Sequence, residues 1–185
     1  MQVSLRKISD SDTNNIVKWR NSEEVRHWLY SQVELTAEMH NHWLKNVVGS
    51  GRCEQYIIVL KDGKESSDIG TTFIKRSDKE SEEGEFGIFI GESWAKGKHC
   101  SLPATQEMIR IGFESLMLKT IFLTVFRDNL PAVKTYRHAG FRVVDEYDYP
   151  EDTNRRVLKM QITKTEYLLN KTKCTTIDCK NFANL

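Results

Sequence analysis

The stretch from Thr120 to Phe141 constrains this chain more than any other. Thr120 to Phe126 is an apolar run rich in β-branched and aromatic residues, bounded by polar turn residues, which predicts a buried strand. Asn129, Leu130 and Pro131 follow. Asn is a good N-cap and Pro suits the first helical turn, so a helix should begin at Asn129 or Pro131 and run to Ala139. Gly140 then stops the helix and Phe141 opens another strand. Strand, cap, short helix, glycine and strand within 22 residues predict a helix laid across a sheet.

The rest of the chain extends that plan. Val3, Leu5 and Ile8 mark a first strand. Ser9 to Asp12 offer caps for two short helices, with Ile16, Val17 and Trp19 on the first and Val25, Trp28 and Leu29 on the second. Thr36 caps a further helix that carries Met39, Trp43, Leu44, Val47 and Val48 at helical spacing. Tyr56 to Leu60 and Ile69 to Lys75 pair across the turn Lys61 to Lys64. Phe86, Ile88 and Ile90 mark the next strand. The loop from Gly91 to Cys100 leads into a long helix with Pro103 in its first turns and Met108, Ile109, Ile111, Phe113 and Leu116 as its apolar stripe. Phe141 to Tyr149 and Arg155 to Ile162 close the sheet. Hairpins and helical crossovers together predict an α/β domain with a mixed sheet over residues 1–162, followed by a polar tail, 163–185, with a helical turn at Glu166 to Leu169.

Bulk properties exclude several function classes. The 185 residues suffice for one domain with a core, and the formal net charge of +1 gives no global field for nucleic acid or a membrane surface. No signal-peptide core and no run of roughly 18 to 20 apolar residues is present, so a cytoplasmic protein is expected. The cysteines Cys53, Cys100, Cys174 and Cys179 form no CxxC pair and have no histidine at zinc spacing, so reduced thiols and no metal are expected.

The loop Glu92 to Ser101 carries the first chemistry. Backbone N–H groups at a helix N-terminus attract anions, and Lys96 and Lys98 flank Gly97 there, so a pyrophosphate is a natural guest. Cys100 reads either as a reactive thiol or as a small residue at the helix start; nothing nearby completes a Cys-His arrangement, which favours the latter. Asn129 reads first as a helix cap, and Tyr136 as a residue packed on the sheet. His40 titrates in a range suited to proton transfer, although most helical histidines are structural or solvated.

Taken together, Asn129, Tyr136, Gly140-Phe141 and the strand-fed loop Trp94-Ala95-Lys96-Gly97-Lys98-His99 resemble the GNAT superfamily of acyl-CoA-dependent N-acetyltransferases. The loop is similar to the W-G-K-G variant of the RimJ/RimL-like branch, with Ala95 in place of Gly and His99 where Gly or Ala is usual. Trp19-Arg20-Asn21 through Glu24-Val25-Arg26, Trp28, Tyr30-Ser31, and then Glu38, His40 and Trp43, resemble the branch that acetylates amino sugars on nucleotide carriers, as in the pseudaminic acid pathway. The resemblance implies a GNAT fold: a central, mixed, mostly antiparallel sheet with flanking helices and a splayed pair of central strands. It implies acetyl-CoA as co-substrate, with its pantetheine along Phe89 and Ile90 and beside Asn129 and Ala132. Its pyrophosphate would lie on Lys96, Gly97, Lys98, His99, Cys100 and Ser101. Tyr136 would protonate the departing thiolate, and backbone N–H groups near Ile90 would stabilise the oxyanion. Glu85, acting through water, is the first choice of base among Glu85, His40, His42, His27 and Glu38. Arg20, Trp28, Tyr30 and His40 would meet a small-molecule amine acceptor. A monomer or homodimer is expected. Acetylation of a protein amino terminus or an aminoglycoside-type amine, and a CoA-binding or interaction module without catalysis, are the alternatives.

Overall fold

The computed structural model describes residues 1–171 of the 185. Cys174, Cys179 and the tail after 171 lie outside the described residues. One seven-stranded sheet holds the domain together, in the order β1-β2-β3-β4-β5-β7-β6. Its strands are β1 (Gln2–Lys7), β2 (Cys53–Asp62), β3 (Glu65–Lys75), β4 (Glu83–Ile90), β5 (Thr120–Phe126), β6 (Arg142–Tyr149) and β7 (Asp152–Thr163). The helices are α1 (Thr13–Asn21), α2 (Glu23–Arg26), α3 (Ala37–Trp43), α4 (Ser101–Arg110) and α5 (Leu130–His138). A last helix, α6, spans 164–171.

Every neighbouring pair is antiparallel except β4 and β5. That parallel pair is joined through α4, the crossover a parallel connection requires. β4 and β5 pair only over Glu83–Glu85 and Thr120–Phe122. Beyond Glu85 the strands part, leaving the β5 side of β4 unpaired from Phe86 to Ile90. The splayed central pair expected from the resemblance is therefore present.

Alternation along β4 distributes its side chains between the two faces. Phe86 and Ile88 pack with Met108, Val133 and Tyr136 under α4 and α5, whereas Phe89 packs with Ile16, Trp19 and Ile57 under α1. Glu85 and Gly87 share the face of Phe89, as parity predicts. Two glycines permit close packing around this strand. A Cβ on Gly70 would stand 2.2 Å from the Phe89 carbonyl oxygen, and one on Gly91 would stand 2.1 Å from the Trp19 ring.

Local signals account for most element ends. Thr36 Oγ1 accepts from the Met39 N–H at 3.2 Å, and Asn129 Oδ1 accepts from the Ala132 N–H at 3.3 Å. The hairpin strands are longer than their apolar runs, because β2 and β3 continue pairing out to Asp62 and Glu65. At the carboxyl end, α6 joins the domain: the Tyr167 ring stacks on Phe113 at 5.1 Å, and its hydroxyl donates to Glu114 at 2.7 Å. Arg142 pairs with Glu166 at 2.6 Å.

Candidate active site

The parting of β4 from β5 opens a cleft of about 960 Å³ through the middle of the sheet. One wall is the α4–α5 side, with Tyr136, Ala132, Asn129, Ser101, Gly97 and Lys96. The other is the α1–α3 side, with Arg20, Trp28, Tyr30, Met39, His40 and Trp43. Phe86 to Ile90 form the strand between them. A second hollow of about 700 Å³, lined by Asp10, Thr13, Asn14, Asn41 and Lys45, lies behind α3 and touches neither central strand.

Tyr136 sits in the helix that follows β5, with its ring edge-on to Phe86 at 5.9 Å. Burial pushes its phenol well above the usual range, and Tyr30 adds to the shift. Its hydroxyl makes no hydrogen bond among the described residues and lines the cleft. A phenol so placed stays protonated at neutral pH and has a proton to give. Asn129 serves as the helix cap through Oδ1, which leaves its amide N–H groups for a ligand.

The backbone of β4 from Phe86 to Ile90 presents unpaired N–H and C=O groups to the cleft, which suits an extended amide-bearing ligand. The loop beyond it divides its residues. Lys96, Gly97 and Ser101 line the cleft. Lys98 does not; its ammonium stands 4.8 Å over the Trp94 ring. Cys100 turns inward and packs with Ile58, Ile69 and Ala104, and burial raises its thiol pKa, so the unreactive reading holds. His99 adopts φ 58, the left-handed conformation that glycine favours, and its side chain points to solvent. The loop thus keeps the backbone shape expected of a glycine there while its side chain stays outside.

Sequence reasoning missed the ties that hold this loop. Glu24 on α2 pairs with Lys96 and accepts from the Ser93 hydroxyl at 2.9 Å. Glu92 accepts from Trp19 Nε1 at 2.7 Å and from Lys18 at 3.0 Å. Both carboxylates lie below the usual pKa range, Glu24 mainly through Lys96 and Glu92 mainly through Trp19. These ties span 69 to 74 positions, and no local spacing announces them.

On the opposite wall, Glu85 stands at the apex where the strands part, with Lys75 Nζ 3.5 Å from one oxygen. Tyr30 packs on Phe126 at 4.8 Å and on Tyr149 at 5.5 Å, and its buried hydroxyl lacks a well-formed hydrogen bond. Burial pushes this phenol up to about 12, against the influence of Thr124. Arg20 donates to the Val33 carbonyl at 2.9 Å. Its pKa is lowered, first by burial and then by Arg26. Gln55 accepts from Trp43 Nε1 at 3.0 Å and donates to Thr71 at 3.2 Å.

Residues 2–142 match the family described as Acetyltransferase (GNAT) domain. The chain belongs to the GNAT family. It is accordingly an acyltransferase, with acetyl-CoA as co-substrate. The spermidine N(1)-acetyltransferase of Escherichia coli is 25% identical over 170 residues, covering 90% of this chain and 88% of that protein. Acetyltransferase PseH of Campylobacter jejuni is 26% identical over 140 residues, covering 76% and 83%. Among solved structures, the spermidine N-acetyltransferase of Vibrio cholerae in complex with CoA and spermine has a TM-score of 0.79 at 19% identity, covering 90% of this chain and 98% of that one. Among the described residues, no helix is long and apolar enough to cross a membrane.

Proposed function

We propose that this enzyme moves the acetyl group of acetyl-CoA directly to a primary amine carried by a nucleotide-linked amino sugar, in the RimJ/RimL-like branch of the family. The observation that carries the reading is the make-up of the α1–α3 wall, which we take as the acceptor wall. Trp28, Tyr30, Met39, Trp43, Phe73 and Phe89 line it, with Arg20 as its cation. Aromatic faces suit sugar and base rings, and a guanidinium suits phosphate. Similarity to PseH supports the same reading. A polyamine is the second reading, favoured by the spermidine-acetylating relatives. A polycation calls for several unpaired carboxylates, whereas Glu24 is tied to Lys96 and Glu85 to Lys75.

In the proposed reaction the pantetheine lies along Phe89 and Ile90 beside Asn129 and Ala132. The pyrophosphate rests on the loop from Lys96 to Ser101 at the start of α4. Bound there, acetyl-CoA supplies the thioester. Backbone N–H groups near Ile90 stabilise the oxyanion, and Tyr136 protonates the departing thiolate. Glu85 at the apex draws the ammonium into the cleft. Arg20, Trp28, Tyr30 and His40 hold the acceptor. Two buried free thiols, Cys53 and Cys100, fit a cytoplasmic enzyme, acting as a monomer or homodimer. Thiol release measured over a panel of amino-sugar nucleotides, polyamines and peptide amines tests the assignment. A kcat/KM highest for a polyamine would overturn it.

A further inference from the structure

His40 is 3% exposed, yet it lines the acceptor side of the cleft. Its two ring nitrogens have different fates. Nδ1 lies 2.9 Å from the Thr13 hydroxyl, whereas Nε2 is buried and has no hydrogen-bond partner among the described residues. The Thr13 hydroxyl carries one proton and donates it to Asn41 Oδ1 at 2.8 Å. It can therefore only accept from His40, so Nδ1 must carry the imidazole hydrogen. Nε2 is then the lone-pair nitrogen. Thr13 and Asn41 line the hollow behind α3, whereas His40 itself lines the cleft. A buried acceptor without a donor is costly unless a ligand supplies one.

We propose that His40 Nε2 is the proton acceptor for the attacking amine, held in that tautomer by Thr13 as a positioning residue. The inference rests on the acetyltransferase reading of the cleft and assigns its base to a residue other than Glu85. As the amine nitrogen bonds to the thioester carbonyl carbon, it becomes positive and acidic, and its proton passes to Nε2. The C–S bond breaks and the sulfur takes the Tyr136 proton. The imidazolium then releases its proton to water, and the Tyr136 phenolate regains one.

The surroundings suit a base that is neutral at the start. Burial lowers the His40 pKa, and Asp12 and Asp10, ahead of α1, oppose that shift. These carboxylates are the charged groups acting on the ring. From α1 it meets Thr13, and β2 and β3 contribute the neutral Gln55 and Thr71 to the same wall. Glu85, by contrast, already has Lys75 as its partner.

The test is the pH dependence of kcat/KM in His40→Asn, whose amide nitrogen can replace Nδ1 toward Thr13 while nothing replaces Nε2. We expect a fall of about 100-fold at neutral pH, loss of the acid limb expected of the unmodified enzyme, unchanged CoA affinity and partial rescue by added imidazole. Glu85→Gln should keep the acid limb. A His40→Asn enzyme within threefold of the parent, or an acid limb that disappears in Glu85→Gln instead, would overturn the proposal. Long-range proton–nitrogen NMR of the unmodified resting protein decides the tautomer without turnover or a variant. A hydrogen on Nε2 would overturn the assignment even if acetylation is confirmed. Absence of thiol release with every amine would instead sink the acceptor reading.

Discussion

Tyr136→Phe separates chemistry from packing. The ring makes edge contacts to Phe86 at 5.9 Å and Phe141 at 6.1 Å, and phenylalanine preserves both. The hydroxyl has no hydrogen-bond partner among the described residues, so its removal leaves none of their buried groups unsatisfied. The expected stability change is within about 0.5 kcal/mol, a shift of less than about 2 °C in Tm for a chain of this size. Loss of a general acid should nevertheless lower kcat by about 100-fold or more, at least about 2.7 kcal/mol of barrier. The defect should shrink above the ordinary thiol pKa of about 8.5, where the thiolate leaves without help. Burial raises the Tyr136 pKa, so the native phenol stays protonated through neutral pH and adds no limb to the profile there. Thiol-release kinetics, calorimetric CoA binding and thermal unfolding read these three quantities separately. A variant that turns over within threefold of the parent at pH 7 would refute the acid role. One that loses more than about 2 kcal/mol of stability would refute the packing argument.

Asn129→Ala removes the cap on Ala132 and should cost about 1 kcal/mol in urea unfolding while weakening CoA binding; unchanged stability would deny the cap its role. Gly70→Ala places a methyl against the Phe89 carbonyl oxygen and should cost about 1–3 kcal/mol while raising the Kd for CoA, because the strand it displaces is the one proposed to hold the pantetheine. Stability should also fall on acidification in two stages, read as urea midpoints from pH 8 to pH 3. The folded His40 pKa is depressed, so below about 6.5 the unfolded chain binds the extra proton and stability drops until the folded ring also titrates. Asp12, depressed chiefly by Arg6, keeps its contribution above about pH 3.9 and loses it as pH falls through its lower folded value. His40→Asn should flatten the first stage and leave the second.

Local chemistry made much of this molecule legible. Thr36 and Asn129 cap their helices as short-range preference dictates, since a side-chain oxygen need reach only three residues ahead. The apolar stripe through Met108, Ile109, Ile111 and Phe113 is buried because helical spacing puts those residues on one face. Alternation along β4 correctly assigned Glu85 to the face of Phe89. The extent of β2 and β3 was less legible, because pairing continues into polar residues once a neighbouring strand supplies the hydrogen bonds. The loop between β4 and α4 was located, but not the direction of its side chains. Lys98 turns to Trp94 and Cys100 enters the core, choices made by packing rather than by position in the loop.

From its sequence alone, this chain had its order of strands and helices, its caps and turns, and its family resemblance, because each is written in residues a few positions apart. Tertiary structure decided which distant groups share the cleft. Glu24 reaches Lys96, Glu92 reaches Trp19, and Thr13 reaches His40, across 72, 73 and 27 positions. Such pairings depend on how far β4 and β5 part and on how α1 and α3 lie against the sheet. Burial then supplies the unpaired Nε2 of His40 and the raised pKa of Tyr136. Neither property belongs to a residue type; both come from water being excluded by residues remote in the chain.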